Sequence, residues 1–490
     1  MHRRTRTTLA TVAAAAVTGG LLTLATATTA TAVDGTVASQ ADFNNDGVGD
    51  VATSAAGAYV GGKKEAGQVV VAYGGGTGLT TTKRTVVSQD TSGVPGGAEA
   101  GDGFGSDTAY ADFDGDGYDD LAVGAPGEDL GTDKDAGMVT ILWGSASGIT
   151  GKGAVQVNDP ASSSHDLWGR TLAAGDFDGD GRQDLVVGTS KTKLYVFKGG
   201  ISRSGTSGSR QTLQAPVWTE GPAYNITAGD VDGNGLTDLV VNGYTPEPEA
   251  DNYYRNRNYL LLGTGSGLDQ YSAQELRPGV ITGIGDINKD GFGDIVSGFD
   301  LDPVENGVSE PHTAKGGKVW ITYGSAYGVG TVQGITQDTS GVPGSGETND
   351  MFGYELDLGD VNGDTYLDLA VGVAGENVDG VTDTGSVVVL FGTANGITGT
   401  GAQYIDQNTA GVPGSNEAYD SFGIDVKLDD VTGDGRADLV VGSTENDGNG
   451  SIVYVPSTNG KISGTGRSLS PSALGVATTG YPMVGANFAD

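Results

Sequence analysis

Short runs of apolar residues alternate with segments rich in glycine, aspartate and serine along almost the whole chain. Residues 120–126, 137–144 and 385–392 are typical: each contains Val with Leu or Ile, and the last two runs are bounded by glycine. Such runs are too short for ordinary helices, and a helical period appears nowhere after the N-terminal segment. The pattern therefore predicts an all-β protein built from short strands.

The apolar runs recur in a fixed order, which divides the chain into seven similar units. A first strand begins at an aromatic-Gly pair, and a second follows an Asp-rich loop and is predicted to stop at a glycine such as Gly372 or Gly442. A third ends in an aromatic residue and glycine, and a fourth, weaker run leads to Gly-Val-Pro-Gly at 93–96, 341–344 and 411–414. Repeated four-stranded units are the blades of a propeller. We predict one seven-bladed β-propeller of four-stranded antiparallel blades with calcium-binding loops, over residues 33–490.

A nine-residue acidic loop separates the first and second strands of every unit. The seven loops begin at residues 42, 112, 176, 230, 286, 360 and 430, and the second of them reads Asp-Phe-Asp-Gly-Asp-Gly-Tyr-Asp-Asp. Alternate oxygen ligands on a tight turn suit Ca²⁺, which takes six to eight oxygens. The alternative is a set of simple Asp/Gly turns, in which side chains bond their own backbone. An EF-hand does not fit, because position twelve is never Glu and a β-rich run follows the loop.

The candidate ligands are the side chains at positions one, three, five and nine and the backbone at position seven. They are Asp42, Asn44, Asp46, Val48 and Asp50; Asp112, Asp114, Asp116, Tyr118 and Asp120; Asp176, Asp178, Asp180, Arg182 and Asp184; Asp230, Asp232, Asn234, Leu236 and Asp238; Asp286, Asn288, Asp290, Phe292 and Asp294; Asp360, Asn362, Asp364, Tyr366 and Asp368; and Asp430, Thr432, Asp434, Arg436 and Asp438. We expect up to seven structural Ca²⁺ ions.

The loops and their flanks resemble a known repeat family. Phe104-Gly105 precedes the second loop, and Val-Gly-Ala-Pro follows it at residues 123–126. This combination resembles the FG-GAP repeat of the integrin α-subunit N-terminal propeller, over nearly the whole chain after residue 32. The resemblance implies a seven-bladed ring with calcium in the loop between first and second strands.

The repeat pattern is weakest in blades four and five, which carry Pro222-Ala223 and Pro278-Gly279 in place of Phe-Gly. Loop six has Thr365 at a glycine position, and loop seven has Thr432 at position three. Loops two and three therefore match the calcium pattern best.

The N-terminal residues predict export from the cell. Three arginines near the start precede an Ala/Leu/Val-rich run, and small residues at 30–32 offer a cleavage site, so residues 1–32 read as a secretory signal peptide. The alternative is a retained membrane anchor, but Thr and Gly dilute the apolar run. With no cysteine, an exported chain is held by something other than disulfides. We expect a secreted, extracellular monomer with no membrane insertion.

The chain carries a net charge of −36, with only 26 Lys and Arg. Nucleic-acid binding needs basic patches, so this balance excludes a nucleic-acid partner. The C-terminal stretch at about 481–489 resembles a first strand with no loop behind it, whereas blade one lacks the aromatic-Gly pair. We predict that this stretch closes the ring beside blade one, which would cover an exposed strand edge. A disordered tail is the alternative.

The sequence contains no recognisable catalytic constellation. His165 lies in Ser-His-Asp at 164–166, but the Asp two residues before aromatic-Gly recurs in other blades, and no Gly-x-Ser-x-Gly elbow is present. His312 is predicted to be solvated in a polar loop with Glu305, Glu310 and Lys315. We predict a non-enzymatic binding or adhesion module for an unknown protein or glycan. The alternatives are a hydrolase or lyase with a site at the central mouth, and a purely structural cell-envelope protein.

A Tyr/Arg-rich segment of blade four is the candidate contact surface. Tyr244, Tyr253, Tyr254, Arg255 and Arg257 are residue types that dominate binding hot spots. In a four-stranded meander this segment lies at the end opposite the acidic loops. The alternative is a long hairpin whose tyrosines pack on the neighbouring blade.

Overall fold

The structure is a computed structural model that describes residues 40–217, 221–246, 254–305, 307–445 and 447–489. The predicted signal peptide, residues 1–32, lies outside these ranges. Within them the chain forms seven antiparallel blades, which confirms the predicted all-β seven-bladed propeller. In the same ranges, no helix combines the length and the apolar character that crossing a membrane requires.

The blades follow one another along the chain in the order of their acidic loops. Blade one contains β1 (Val51–Ala55), β2 (Gln68–Ala72) and β3 (Arg84–Val87). Blade two contains β4 (Thr108–Ala111), β5 (Asp120–Ala125), β6 (Met138–Leu142) and β7 (Val155–Val157), and a 3₁₀ turn follows at Ser162–Ser164. Blade three contains β8 (Leu172–Gly175), β9 (Asp184–Val187), β10 (Lys193–Ile201) and β11 (Ser207–Gln214).

Blades four and five each carry an extra two-stranded hairpin. Blade four contains β12 (Asn225–Gly229), β13 (Asp238–Pro246), β14 (Tyr254–Leu261), the hairpin β15 (Gly263–Thr264) and β16 (Gly267–Leu268), and β17 (Gln274–Glu275). Blade five contains β18 (Ile281–Gly285), β19 (Asp294–Phe299), the hairpin β20 (Val304–Glu305) and β21 (Val308–Ser309), β22 (Lys318–Ser325) and β23 (Gly328–Ile335).

The last two blades are regular. Blade six contains β24 (Phe352–Gly359), β25 (Asp368–Val373), β26 (Ser386–Phe391) and β27 (Thr398–Ile405). Blade seven contains β28 (Asp425–Asp429), β29 (Asp438–Ser443), β30 (Ser451–Val455) and β31 (Arg467–Leu469), and the short helix α1 (Pro471–Leu474) follows.

The first strands of successive blades contact one another, as β4 does with β8 and β8 with β12. First strands therefore line the axis and fourth strands lie outside. Because neighbouring strands run antiparallel, the acidic loops and the turns between third and fourth strands emerge on one face, the metal-loop face. The connections between second and third strands, and between blades, emerge on the opposite face, the far face.

The aromatic-Gly pair fits its blade against the preceding one. The Trp168 side chain is fully buried, and Gly169 has φ +86°, a left-handed conformation that favours glycine. A side chain on Gly124 would meet the Gly169 carbonyl oxygen at 2.1 Å, so this second-strand glycine permits a close approach between blades. The prediction that the second strand stops at its glycine is wrong in blades two, six and seven, where β5, β25 and β29 continue through it.

The C-terminal segment takes the first-strand place in blade one. The Ser54 N–H donates to the Asn487 carbonyl at 2.8 Å, and the Ala489 N–H donates to Ala52 at 3.0 Å. Val484 is fully buried and bridges to Gly450, as Trp168 bridges to Gly137 in blade three. Residues from both described ends of the chain therefore border β1, because Ala41 also pairs with Asp50.

The seam between blades four and five is less apolar than the other seams. Its buried apolar cluster, within the described residues, consists of Val231, Val240, Leu260, Leu276 and Ile295. Three buried asparagines hold the backbone at the place where Phe-Gly is missing. The Asn242 and Asn258 amides donate to the Gly279 carbonyl at 2.7 and 3.0 Å, and the Gly279 N–H donates to Asn256 Oδ1 at 2.9 Å. Hydrogen bonds thus replace an aromatic side chain at this seam.

A buried carboxyl group links blades one and two on the far face. Gln89 Nε2 donates to Glu128 Oε2 at 2.6 Å, and Gln337 repeats this contact with Glu376 at 2.8 Å. Burial raises the pKa of Glu128 to about 7 from an ordinary value of 4.5. The folded protein therefore holds this proton more tightly than the unfolded chain does.

The raised pKa predicts how stability depends on pH. Stability from Glu128 is fully present below about pH 4.5 and is lost as the pH rises through about 7. The substitution Glu128→Gln keeps an acceptor for Gln89 and removes this loss. We expect the variant to melt higher relative to wild type at pH 8 than at pH 5, with calcium saturating at both. Exposed Glu65→Gln is the control, and an equal melting difference at both pH values for Glu128→Gln would contradict the prediction.

Candidate metal centres

The first carboxylate of each loop folds the loop around itself. In loop two, Asp112 Oδ1 accepts hydrogen bonds from the N–H groups of Gly115 and Asp116 at 2.8 and 3.0 Å, and Oδ2 accepts from Gly117 at 2.8 Å. Asp176 makes the same three contacts in loop three. The simple turn chemistry considered from the sequence is therefore present, and it leaves the position-three side chains free to point elsewhere.

The ninth carboxylate joins three parts of each blade. Asp120 is fully buried; its Oδ2 accepts from the Phe113 N–H at 3.0 Å and its Oδ1 from the Gly144 N–H at 2.8 Å, at the end of the third strand. Equivalent contacts to the end of the third strand are made by Asp50, Asp184, Asp238, Asp294, Asp368 and Asp438. Sequence reasoning missed this role. The sequence signal for this role is that position nine is Asp in every loop, whereas position three varies.

Loops two, three and four gather three carboxylates each. Ligand atoms of positions one, three and nine lie within 4.8 Å of one another in these loops, and the groups could hold a metal ion. The residues are Asp112, Asp114 and Asp120; Asp176, Asp178 and Asp184; and Asp230, Asp232 and Asp238. Position five is not in these groups; in loop two, Asp116 Oδ1 instead accepts from the Tyr118 N–H at 3.2 Å.

The position-three side chains support the fit to a cation. Oδ1 of Asp114 and Oδ1 of Asp178 are buried without a hydrogen-bond partner, and so is Oδ1 of Asn44 in loop one. A buried oxygen without a donor is costly unless something else, such as a cation, satisfies it. Hard divalent cations prefer such oxygen donors, so the residues present suit Ca²⁺.

Burial sets the electrostatics of the loops. Burial, together with the nearby charges of Asp114 and Asp112, raises the pKa of Asp120 to about 8. Burial likewise raises the pKa of the ninth carboxyl to about 7 in the other loops: Asp50, Asp184, Asp238, Asp294, Asp368 and Asp438. A divalent cation favours the charged form of each, so metal binding is coupled to proton release.

Two of these loops also carry a cation of the protein itself. Arg203 pairs with Asp114 and, at 2.6 Å, with Asp116; Lys198 pairs with Asp178 at 2.9 Å. Asp232 of loop four makes no such ion pair within the described residues. The sequence ranks loops two and three first, but it does not reveal these pairs. Loop four combines the same three carboxylates with no described Lys or Arg partner for Asp232.

The Tyr/Arg segment proposed as a contact surface is partly used within the protein. Arg255 Nη1 lies 3.1 Å from Glu310 Oε2, and only 17% of the Arg255 side chain is exposed. Tyr244 is half-buried and packs edge-on against Tyr224, with ring centroids 5.0 Å apart. Tyr253 lies outside the described residues, whereas Tyr254 is exposed. The sequence missed Tyr224, which is 48% exposed.

His165 lies in the core. Its ring stacks between Trp168 and Tyr195, with centroids 6.0 and 5.4 Å away, and its Nε2 lies 3.5 Å from Asp159 Oδ1. Burial lowers the pKa of His165, which favours the neutral ring. These contacts give the residue a packing role between blades two and three.

Comparison with known proteins identifies the repeat. The FG-GAP repeat family matches residues 104–142 and 352–390, and an FG-GAP-like repeat matches residues 176–241. The chain is an integrin-α-like FG-GAP propeller. Integrin alpha-PS2 of Drosophila melanogaster is 29% identical to this propeller over 231 residues, which are 44% of this chain and 16% of the integrin. Phosphatidylinositol-glycan-specific phospholipase D of Mus musculus is 36% identical over 230 residues, 47% of this chain and 26% of that protein.

This FG-GAP propeller thus spans about a quarter or less of the length of these two relatives. Among solved structures, the exotype rhamnogalacturonan lyase YesX overlaps with a TM-score of 0.38 at 13% identity, covering 87% of this chain and 72% of the lyase.

Proposed function

We propose that this FG-GAP propeller is a secreted, calcium-stabilised module that binds a macromolecule or glycan on its far face. Calcium ions in up to seven loops would stabilise the metal-loop face. The proposed ligands are those assigned from the sequence, and the side chains at positions one, three and nine are the proposed primary ligands. When bound, the ion supplies positive charge that lets buried carboxylates stay ionised. The hydrogen bonds within each loop, made by the chain's own residues, position the ligand oxygens.

The observation that carries the binding role is an aromatic surface on the far face. Tyr224 and Tyr254 are 48% and 41% exposed, and the Arg170 guanidinium lies 5.1 Å from the centre of the Tyr224 ring. Exposed tyrosines beside arginine are typical of contact surfaces, because they bury large area with little loss of side-chain freedom. Tyr224 directly precedes β12 and Tyr254 begins β14, at the strand ends on the face opposite the acidic loops, which leaves them accessible while the loops are loaded.

A hydrolase or lyase at the central mouth stays the alternative. The relatives named phospholipase D match over about a quarter of their length, so their activity is not carried over to this chain. The described lining of the central channel combines small residues such as Ala174 and Gly283 with Tyr110, Asp357 and Lys427.

The test of the binding role is capture of partners from cell-envelope or host extract and from a glycan array, in calcium. Tyr224→Ala combined with Tyr254→Ala should weaken capture at least about tenfold, or 1.4 kcal/mol. The matched control is Tyr327→Ala, because Tyr327 is 85% exposed in a turn on the metal-loop face. Both proteins should keep the same calcium-dependent melting. Capture that is equal for the two variants would contradict the proposal.

A further inference from the structure

Three cationic or basic side chains, those of Lys318, Arg277 and His312, lie against one tryptophan at the seam of blades four and five. Lys318 Nζ lies 3.7 Å from the centre of the Trp320 ring, and the Arg277 guanidinium carbon lies 5.2 Å from it. Arg277 Nη1 is 3.2 Å from His312 Nδ1, and Trp320 Nε1 donates to the His312 carbonyl at 2.8 Å. Arg257 lines a groove together with Arg277 and His312. We call these five residues the Trp320 cluster.

The cluster corrects the sequence interpretation of His312. The polar-loop prediction placed this histidine in solvent with Glu305, Glu310 and Lys315. Its side chain instead lies against Arg277 and Trp320, with imidazole and indole centroids 6.4 Å apart. The sequence could not show this contact, because Arg277 and His312 come from different blades.

The described residues balance only some of the positive charges of the cluster. Arg257 pairs with Glu275 at 3.1 Å, but neither Arg277 nor Lys318 forms a salt bridge with another described residue. Burial and the charge of Arg277 both lower the pKa of Lys318. In a chain of net charge −36, a concentration of mutually repelling cations at one place is unusual and would be relieved by a bound anion.

Three residues of the cluster, Arg257, Arg277 and His312, line a groove together with Glu275. Its sides are formed by Leu276 and Pro278, which follow β17 of blade four, and by Val329 and Val332 on β23 of blade five. Gly334 on β23 makes room for the aromatic ring, because a side chain there would meet Trp320 Cζ3 at 3.0 Å and Lys318 Cε at 2.6 Å. The groove therefore offers apolar walls and a cationic end in one place.

These features select one class of ligand. Arginine presents a planar pair of donors to a carboxylate, and lysine adds a point charge. The apolar walls of the groove suit the C–H face of a sugar ring, which an inorganic anion does not have. An extended polyanion would meet the negative charge of the rest of the protein, so a ligand with few charges is favoured.

We propose that the Trp320 cluster binds a carboxylate-bearing saccharide, with the carboxylate between Arg277 and Lys318 and the sugar ring against the groove wall. This inference rests on the proposed binding role and names a ligand class for it. The proposed site differs from the Tyr/Arg segment and shares only Arg257 with it.

The first experiment compares three probes by ligand-observed NMR and by tryptophan fluorescence, in calcium and at low salt. The probes are methyl β-D-glucuronide, methyl β-D-glucoside and acetate, which separate the ring from the carboxylate. We expect the glucuronide to bind at least about tenfold more tightly than either of the others, equivalent to 1.4 kcal/mol. Equal binding of glucoside and glucuronide, or acetate binding as tightly as the glucuronide, would overturn the proposal. An acidic peptide that competes as well as the glucuronide would also overturn it.

The second experiment uses charge-matched variants. Arg277→Gln with Lys318→Gln should reduce glucuronide affinity at least about tenfold. Lys152→Gln with Arg210→Gln removes the same charge at exposed positions elsewhere and should leave affinity unchanged. Calcium-dependent melting of both proteins checks the fold, and the single variant Lys318→Gln replaces the double variant if the latter fails to fold. Unchanged affinity in the cluster variant would overturn the saccharide site.

The two proposals fail in different ways. If no carboxylated sugar binds while Tyr224 and Tyr254 remain necessary for capture from extract, the saccharide inference is wrong and the binding role stands. If the glucuronide binds through Arg277 and Lys318 while capture does not depend on the tyrosines, the saccharide site stands and the proposed contact surface is wrong.

Discussion

Chelation of divalent cations is expected to lower the melting temperature of this propeller sharply, and millimolar Ca²⁺ is expected to restore it. In loops two, three and four, three carboxylates have oxygens within 4.8 Å of one another, and without metal they repel while largely withdrawn from water. Extracellular calcium modules bind with constants on the order of 10⁻⁴–10⁻³ M, so a few millimolar Ca²⁺ loads them. Each site filled at ten times its constant adds about 1.4 kcal/mol. Mg²⁺ should act more weakly, because it demands octahedral geometry.

Loop four offers the sharpest variant for this test. Asp232→Asn should raise the melting temperature in chelator, because it removes a repelling charge, and should reduce the rise produced by Ca²⁺. Asp114→Asn should show a smaller gain in chelator, since Arg203 already pairs with Asp114. Exposed Asp133→Asn, outside the loops, is the control and should leave the calcium response unchanged. Differential scanning calorimetry measures all four proteins, and wild-type melting that is the same in chelator and in calcium would refute the metal assignment.

Asp120→Ala is expected to destabilise the protein strongly whether or not calcium is present. The substitution leaves the Phe113 and Gly144 N–H groups buried without an acceptor. Each unpaired buried donor costs about 1–3 kcal/mol, so the free energy of unfolding should fall by about 2–6 kcal/mol. Denaturant unfolding in chelator isolates this loss from any effect of metal.

Two further variants separate the structural role of Asp120 from a ligand role. Asp120→Asn keeps one acceptor but turns an amide N–H₂ toward the other donor, so it should lie between wild type and Asp120→Ala. Asp116→Ala removes a more exposed loop carboxylate and should change stability in chelator only slightly. If Asp120→Ala unfolds like wild type in chelator, the two hydrogen bonds are not what position nine contributes.

The repeat was predictable because its signals are local. The loop residues and the apolar runs lie next to one another in sequence, so spacing alone predicts strands, blades and candidate ligands. Contacts between distant residues could not be predicted in this way. Asp120 meets Gly144 only after the second and third strands pair, and Arg203 reaches Asp114 from another blade. The same limit hid the Trp320 cluster and left the Tyr/Arg segment looking more accessible than it is.

Blades four and five show what the loss of a repeat signal means. The absence of Phe-Gly at Pro278-Gly279 was visible in the sequence, but its replacement was not. Asn242, Asn256 and Asn258 lie on β13 and β14, and only strand pairing brings their amides to Gly279. At this seam, asparagines within the apolar runs accompany the missing aromatic residue.

The polar seam between blades four and five is the place where we expect the ring to open first. A closed ring opens first between the two blades whose contact is weakest. Replacing hydrogen bonds between blades by hydrogen bonds to water costs less free energy than exposing a large apolar contact to water. We therefore expect the contact between blades four and five, with the asparagine–Gly279 hydrogen bonds and a small apolar cluster, to separate first. Arg277 belongs to blade four and Lys318 to blade five. A molecule that binds both residues would therefore stabilise the contact between these blades.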